Sequence, residues 1–256
     1  QLTNLPLLFS YNSNQAGGIE VANYTTASGS NAFAVGNDNL ASGSSSTAMG
    51  RGTIASGNDS TALGANTEAS GNNSTAIGEN TEASGIISTA FGFGNDASGM
   101  VSTAMGYSTE ASGHYSTSMG INTVASGRHS TSIGALTKAS DRSSLVIGEY
   151  NFTGSTVTSS ADQFSLDNTA FVIGNGADIN NRSDALVVKF NGDTTLAGSM
   201  TATSFIGDGS QLTNLPLLFS YNSNQAGGIE VANYTTASGS RAFAVGNDNL
   251  ASGSSS

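Results

Sequence analysis

The 256-residue sequence lacks cysteine and tryptophan, has only two prolines, and contains few charged residues. The absence of cysteine excludes disulfides, thiol chemistry and cysteine-ligated zinc. Acidic residues outnumber basic ones, 18 to 7, giving a net charge of −11. This balance argues against nucleic-acid binding, which needs Lys and Arg to displace phosphate counterions. No apolar run approaches the ~20 residues that a membrane-spanning helix requires.

Small residues dominate instead: the chain has 33 Gly, 42 Ser and 27 Thr. Composition of this kind, taken alone, is typical of disordered chains. The order of the residues indicates the opposite, because two repeats, one inside the other, run through the sequence.

The longer repeat has a period of 210 residues. Residues 211–256 copy residues 1–46 with one difference, Asn31 becoming Arg241. We interpret the chain as a little more than one unit of a tandem array, with neither end a natural terminus.

The shorter repeat has a period of 14 residues. Each copy places a bulky apolar residue before a glycine, as in Ser60-Thr61-Ala62-Leu63-Gly64, and seven residues later an Ala-Ser-Gly, as at Ala69-Ser70-Gly71. The first glycine series is Gly36, Gly50, Gly64, Gly78, Gly92, Gly106, Gly120, Gly134 and Gly148. Self-similarity at a fixed short period predicts a solenoid in which each copy forms one coil.

The glycine density excludes helical coils, because each Gly costs about 1 kcal/mol relative to Ala in a helix. The short segments between glycines alternate in side-chain size, which is typical of strands. We therefore predict an all-β parallel β-solenoid, with two short strands and two tight turns per coil and about 4.8 Å between coils.

Alternation also predicts two apolar stripes on opposite faces of the strands. One stripe can fill the coil, whereas the other needs a partner, which predicts a parallel homo-oligomer closed about the fibre axis. The candidate residues of the coil and oligomer core are Ala48, Met49, Ala62, Leu63, Ala76, Ile77, Ala90, Phe91, Ala104 and Met105, with the glycines Gly50, Gly64 and Gly78.

The pattern Ser-x-Ala-Ile-Gly-x-x-Thr-x-Ala-x-Gly, as at residues 74–85, resembles the head repeat of YadA-type trimeric autotransporter adhesins. The resemblance covers residues 27–148 and resumes at 237. It implies a left-handed parallel β-roll, three chains packed side by side, a location on the cell surface, and a role in attachment. Thr61, Thr75 and Thr89 stand where that family usually has an apolar residue.

The sequence predicts four segments: a connector at 1–26, a β-roll at 27–148, an irregular β connector at 149–210, and the next tandem unit from 211. Within the second connector, residues 182–188 and 190–196 are predicted to form two strands joined by an Asn-Gly turn. Residues 202–215 resemble shaft segments of bacterial surface proteins and phage tail fibres. The apolar cluster at 215–219 is predicted to staple the junction between rolls.

No catalytic motif or cofactor site emerges, so the sequence predicts a protein that is not an enzyme. His114 and His129 fall at turn positions, and a serine nucleophile would need a base and an acid within hydrogen-bond reach. Glu68, Glu82, Asp96 and Glu110 recur at one position of the coil. Such a ladder suggests either a Ca²⁺ site or, more simply, a solvated acidic face.

Three functional hypotheses follow. The leading one is a structural segment of a long extracellular fibrous adhesin or appendage that attaches to cells or surfaces. The alternatives are the shaft of a phage or viral tail fibre, and a surface binder that uses its threonine ladder, for instance on ice. The predicted partner is a copy of the same chain, and the ligand of the fibre does not follow from the sequence.

Overall fold

The computed structural model describes residues 10–12, 18–21, 24–152 and 160–204, together with strand segments at 219–222, 228–231, 236–237, 243–245 and 250–251. Most of the predicted connector at 1–26 and of the apolar cluster at 215–219 lies outside these residues. The chain divides into two compact units, Gln1–Met200 and Thr201–Ser256.

The first unit consists of strands joined by turns, with no helix in its described part. In chain order its strands are β1 (Ser10–Asn12), β2 (Gly18–Val21), β3 (Thr26–Ala27), β4 (Phe33–Asn37), β5 (Leu40–Ala41), β6 (Thr47–Arg51), β7 (Ile54–Ala55), β8 (Thr61–Ala65), β9 (Glu68–Ala69), β10 (Thr75–Glu79), β11 (Glu82–Ala83), β12 (Thr89–Phe93), β13 (Thr103–Tyr107), β14 (Glu110–Ala111), β15 (Thr117–Ile121), β16 (Val124–Ala125), β17 (Thr131–Ala135), β18 (Lys138–Ala139), β19 (Leu145–Glu149), β20 (Thr169–Asn175), β21 (Asp184–Lys189) and β22 (Thr194–Leu196).

The second unit carries a second set of short strands. They are β23 (Phe219–Asn222), β24 (Gly228–Val231), β25 (Thr236–Ala237), β26 (Phe243–Val245) and β27 (Leu250–Ala251). β24 pairs in parallel with β26, and β25 with β27, so this unit repeats the pairing of β2 with β4 and of β3 with β5.

The coils of the first unit have one five-residue strand and one two-residue strand, except that Asp96 forms single bridges in place of the short strand after β12. β8 and β9, for example, are separated by a turn at Asn66, and a second turn at Asn73 leads into β10. Consecutive long strands pair in parallel with a register shift of one repeat, so that Thr61 lies beside Thr75 and Leu63 beside Ile77. The predicted parallel β-solenoid of 14-residue coils is therefore confirmed.

Stacking satisfies the backbone at the turns as well as in the strands. The amide of Asn66 donates to the carbonyl of Arg51, and that of Asn73 to Asn58, both at 2.8 Å. Because every coil supplies hydrogen-bond partners to the next, the irregular corners carry no energetic penalty for unpaired backbone groups.

The long strands form one sheet and the short strands line the opposite side. The order of the 14-stranded sheet is β1-β2-β4-β6-β8-β10-β12-β13-β15-β17-β19-β20-β21-β22. The short strands form a five-stranded and a three-stranded sheet, and Asp96 joins the two through parallel bridges to Glu82 and Glu110.

The space inside each coil is filled by small side chains. Ala62 from the long strand and Ala69 from the short strand are both fully buried, as are their equivalents in neighbouring coils. A buried serine, such as Ser60 or Ser74, precedes each long strand from β6 to β19. The narrow interior explains why nothing larger than Val146 occupies the alanine column of the long strands.

A column of buried threonines makes the interior partly polar. Two of these hydroxyls, on Thr53 and Thr109, pair with the amide oxygen of an asparagine one coil earlier, at 2.8 and 2.9 Å. Thr123 and Thr137 instead pair at 2.8 Å with Ser118 and Ser132, which replace alanine five residues earlier.

The corners depend on two unusual backbone conformations. Gly78, inside β10, has φ 132°, and a Cβ built on it would overlap the carbonyl oxygen of Gly92. The turn residues themselves adopt the left-handed conformation without being glycine in most coils, as at Asn66 (φ 52°) and Asn73 (φ 57°). Asparagine tolerates this region better than other residues with a Cβ.

The last coil is followed by an antiparallel extension. β20 pairs in parallel with β19, and then antiparallel with β21, which pairs antiparallel with β22. The predicted two-strand hairpin around Asn191-Gly192 is confirmed, with strands shorter than expected. Arg182 ties this extension to the solenoid by donating to the carbonyls of Leu136 and Asn151, at 2.9 and 3.0 Å.

Across the part of the chain that the structure describes, no helix has the length and apolar character needed to cross a membrane.

We predict that Gly78→Ala lowers the free energy of unfolding by more than about 3 kcal/mol, because a backbone overlap cannot be relieved by a side-chain rotation. Gly52→Asn is the control: Gly52 occupies a turn position (φ 65°) where the next coil has Asn66, and we expect a change below about 1 kcal/mol. Urea denaturation followed by circular dichroism measures both. Equal effects of the two substitutions would contradict the role assigned to Gly78.

We also predict that Ala76→Ser stabilises the solenoid by about 1 kcal/mol. The hydroxyl of Thr81 is buried without a partner among the described residues, and a serine at 76 would repeat the Ser118–Thr123 geometry. Ala104→Ser is the control, since Thr109 already pairs with Asn95. The idea fails if thermal unfolding shows no higher midpoint for Ala76→Ser than for Ala104→Ser.

Candidate assembly face

The outward face of the long strands carries three columns of side chains. Because side chains alternate along a strand, the first, third and fifth residues of each long strand point away from the buried alanine column. The first column is threonine: Thr47, Thr61, Thr75, Thr89, Thr103, Thr117 and Thr131. The middle column is bulky and apolar: Met49, Leu63, Ile77, Phe91, Met105, Met119 and Ile133.

The middle column is left substantially open to solvent by the chain. Phe91 is 48% exposed and Met105 37%. The third column adds further apolar area in the central coils, where Phe93 and Tyr107 stack with ring centroids 5.1 Å apart and Ile121 follows. We call this surface the assembly face. It consists of the outward-pointing residues of β6, β8, β10, β12, β13, β15 and β17.

The predicted core residues divide between the two sides of the long strands. Five of them are fully buried inside the coil: Ala48, Ala62, Ala76, Ala90 and Ala104. Five lie on the assembly face: Met49, Leu63, Ile77, Phe91 and Met105. Gly50, Gly64 and Gly78 follow in the same strands at φ between 126° and 132°.

Sequence reasoning missed the third column and the left-handed turn positions. Phe93, Tyr107 and Ile121 each stand two residues after a member of the middle column, and period-two spacing was the signal that could have identified them. At the turns, the recurrence of Asn, Asp, Ser and Gly one coil apart was the corresponding signal.

The carboxylates of the short strands form a ladder, with Glu68, Glu82, Asp96 and Glu110 in parallel register. The pKa of the Asp96 carboxyl is raised, mainly because the group is partly buried. A hydrogen bond from Ser98 lowers this pKa in part, and the negative charges of Glu82 and Glu110 raise it further. Mutual repulsion between carboxylates one coil apart therefore destabilises the ionised ladder at neutral pH.

In the described ranges, no cluster of three or more His, Cys, Asp or Glu side chains is arranged to hold a metal ion. His114 and His129 are both exposed and lie at the second turn of successive coils.

The described part of the segment between β19 and β20 also exposes large apolar side chains. Phe164 packs against Phe190 with ring centroids 4.9 Å apart, yet remains 47% exposed. Phe152 and Leu166 are exposed to a greater extent. Like the assembly face, these side chains are left uncovered by the described part of the chain.

Comparison with protein families matches the YadA head domain repeat to residues 41–67, 69–95, 97–123 and 125–148. Each match covers about two coils, and together they follow the solenoid from β5 to β19. Residues 41–148 are YadA-like head repeats. No curated protein matches the chain.

The YadA-like head repeats of this chain are the coils of the solenoid. In this chain the threonine column takes the outward position next to the bulky column, so the repeats combine an aliphatic and aromatic stripe with a stripe of hydroxyl groups.

We predict that Asp96→Asn raises the free energy of unfolding at pH 7 by about 0.2–1 kcal/mol, the scale of a cross-strand charge pair. The pKa of Asp96 is raised in the folded state, so ionisation of this carboxyl lowers the stability of the fold. This loss of stability is relieved as the pH falls and the carboxyl is protonated. The gain from Asp96→Asn should vanish below about pH 3.9, where the carboxyl is also protonated in the unfolded chain.

Asp162→Asn removes an exposed carboxylate outside the ladder and serves as the control. Thermal unfolding of the three proteins between acidic and neutral pH measures the effect. A gain from Asp96→Asn that is independent of pH would contradict the electrostatic explanation.

Proposed function

We propose that this chain is a structural segment of a long extracellular fibrous adhesin in which three parallel copies pack through their assembly faces. The fibre would present its head repeats on the cell surface and mediate attachment to cells or surfaces. The observation that carries the proposal is the continuous apolar stripe from Met49 to Ile133, on a chain whose described coils bury mainly Ala, Ser and Thr.

Energetic considerations support a multi-chain assembly. A coil whose interior contains mainly Ala, Ser and Thr gains little free energy from apolar burial, at roughly 25 cal/mol per Å². Covering the exposed fractions of side chains such as Phe91, Tyr107 and Ile121 would add the apolar burial that the single chain lacks. A stripe repeated once per coil also favours a partner with the same repeat, which a parallel copy supplies.

The segments outside the roll fit the same proposal. Residues 1–26 and 149–210 would connect successive rolls, and residues 211–256 would begin the next unit of the array. Phe152, Phe164 and Leu166, which are exposed between β19 and β20, would be covered by the neighbouring chains at that connector.

A second candidate function is supported by the threonine column. Its seven members lie in register on adjacent strands of a regular sheet, which is the kind of hydroxyl array that could bind ice. Because threonine and bulky columns share one face, assembly through that face and ice binding exclude each other. Thermal hysteresis together with a monomeric mass would favour ice binding.

Sedimentation equilibrium of the 256-residue chain tests the proposed assembly. We expect three times the chain mass of 25.5 kDa. A folded monomer would overturn the proposed trimer.

Two substitutions separate the assembly face from the coil interior. Met105→Asp should dissociate the trimer without unfolding the coils, because Met105 lies on the assembly face, whereas Ala76→Asp should unfold them, because Ala76 is fully buried. Val124→Asp introduces the same charge on the short-strand sheet and should leave the mass unchanged. Mass and circular dichroism are measured on each variant. Dissociation by Val124→Asp but not by Met105→Asp would place the interface elsewhere.

A further inference from the structure

The second turn of the coils changes character along the solenoid. In the first coils its two tip residues are small and polar, as at Asn58-Asp59 and Asn72-Asn73. Two coils with apolar tips follow, Ile86-Ile87 and Met100-Val101. The tips of the next three coils carry His114-Tyr115, Arg128-His129 and Arg142. Both histidines of the chain and two of its seven Lys and Arg residues therefore lie at one edge of three successive coils.

Tyr115 contacts two of these side chains, those of Arg128 and His129. The Tyr115 ring lies 5.0 Å from the His129 ring, and the Arg128 guanidinium carbon is 5.9 Å from the Tyr115 ring centroid. We call His114, Tyr115, Arg128, His129 and Arg142 the basic edge.

The charges of the basic edge are not neutralised by the described part of the chain. Neither Arg128 nor Arg142 forms an ion pair with a described carboxylate, and the Nε of Arg128 is buried without a hydrogen-bond partner there. Arg142 donates through Nη1 to the backbone carbonyl of Asp162, at 3.2 Å. On a chain of net charge −11, this is a local positive site suited to an anionic ligand.

The tips of four successive coils hold bulky residues in the left-handed region: Ile87 (φ 59°), Val101 (φ 56°), Tyr115 (φ 60°) and His129 (φ 59°). Bulky residues are disfavoured in this region. The coils of the basic edge share this strain with the two apolar coils before them, and their charged and aromatic side chains distinguish them.

The backbone of this edge leaves side chains as the means of recognition. The amide of Tyr115 donates to Met100 and that of His129 to His114, both at 2.8 Å, so these amides are already paired between coils. An extended peptide could not add a strand here, because these amides are already paired. The side chains on one face of an extended peptide also repeat about every 6.8 Å, which does not match coils about 4.8 Å apart. One sugar ring of a linear polysaccharide advances by a length close to the coil separation.

We propose that the basic edge binds an anionic linear polysaccharide, with Arg128 and Arg142 contacting its carboxylate or sulfate groups and Tyr115 contacting a sugar ring. Guanidinium groups match the planar, bidentate geometry of such anions, and tyrosine offers an apolar ring with a polar tip. This inference names a ligand class for the proposed adhesive function and rests on it.

Binding of the full 256-residue chain to immobilised polysaccharides tests the proposal. Heparin presents sulfates together with carboxylates, hyaluronan presents carboxylates alone, and dextran is neutral. We expect binding to heparin, hyaluronan or both, no binding to dextran, and weakening as salt is added. Preference between the first two identifies the anionic group. Equal retention on dextran and the anionic polymers would overturn the proposal.

Matched variants assign the binding to the basic edge. Arg128→Gln and Tyr115→Asn should each weaken binding about tenfold, the loss of one charge-assisted or ring contact. Ile87→Asn makes the same change at the same turn position two coils earlier and should leave binding unchanged. Asparagine suits the left-handed backbone at both positions, so both variants are expected to fold. Equal weakening by Ile87→Asn would overturn the assignment.

The mass of each variant, measured alongside, distinguishes failure of this inference from failure of the proposed assembly. Lost binding at an unchanged mass supports the basic edge as a ligand site. Dissociation by Arg128→Gln or Tyr115→Asn would make the edge an interchain contact and overturn the ligand proposal. A wild-type chain that is trimeric but binds none of the anionic polymers overturns the ligand and leaves the fibre standing.

Discussion

The narrowness of a 14-residue coil is the constraint on which the rest of the structure depends. Consecutive coils are joined by parallel backbone hydrogen bonds, and the two strands of one coil approach so closely that Ala, Ser and Thr fill the space between them. Large apolar side chains have no room inside and must point outward. The narrow space between the strands therefore both keeps the solenoid thin and leaves an exposed apolar face on every chain.

The polar character of the interior follows from the same constraint. Small apolar residues alone would be limited to alanine and glycine, so hydroxyl groups complete the filling, and each must then be hydrogen-bonded or carry a cost. The chain uses two solutions, an asparagine one coil earlier, as with Asn95 and Thr109, or a serine in the alanine column, as with Ser118 and Thr123. Among the described residues, Thr67 and Thr81 have neither arrangement, and their buried hydroxyls have no hydrogen-bond partner there.

The outer surfaces of the coil are free to differ because they take no part in filling it. The long strands provide the assembly face, the short strands carry the carboxylate ladder, and the second turn changes from polar tips to the basic edge within three coils of Asn73. A repeat can thus keep its backbone geometry while the residues at one corner change from coil to coil. This separation allows a fibre segment to combine self-assembly with recognition at an edge, as we propose.

The sequence by itself determined the fold class, the coil length and the parallel register, because glycines at a strict period admit no other regular stacking. It also identified both apolar stripes, since alternation along a strand is a local property. Which stripe lies inside was decided only by the tertiary structure: the space between the two strands of a coil admits Ala76 and leaves Ile77 outside. The contacts of Tyr115 with Arg128 and His129 were likewise beyond the sequence, because residues one coil apart become neighbours only when the coils stack.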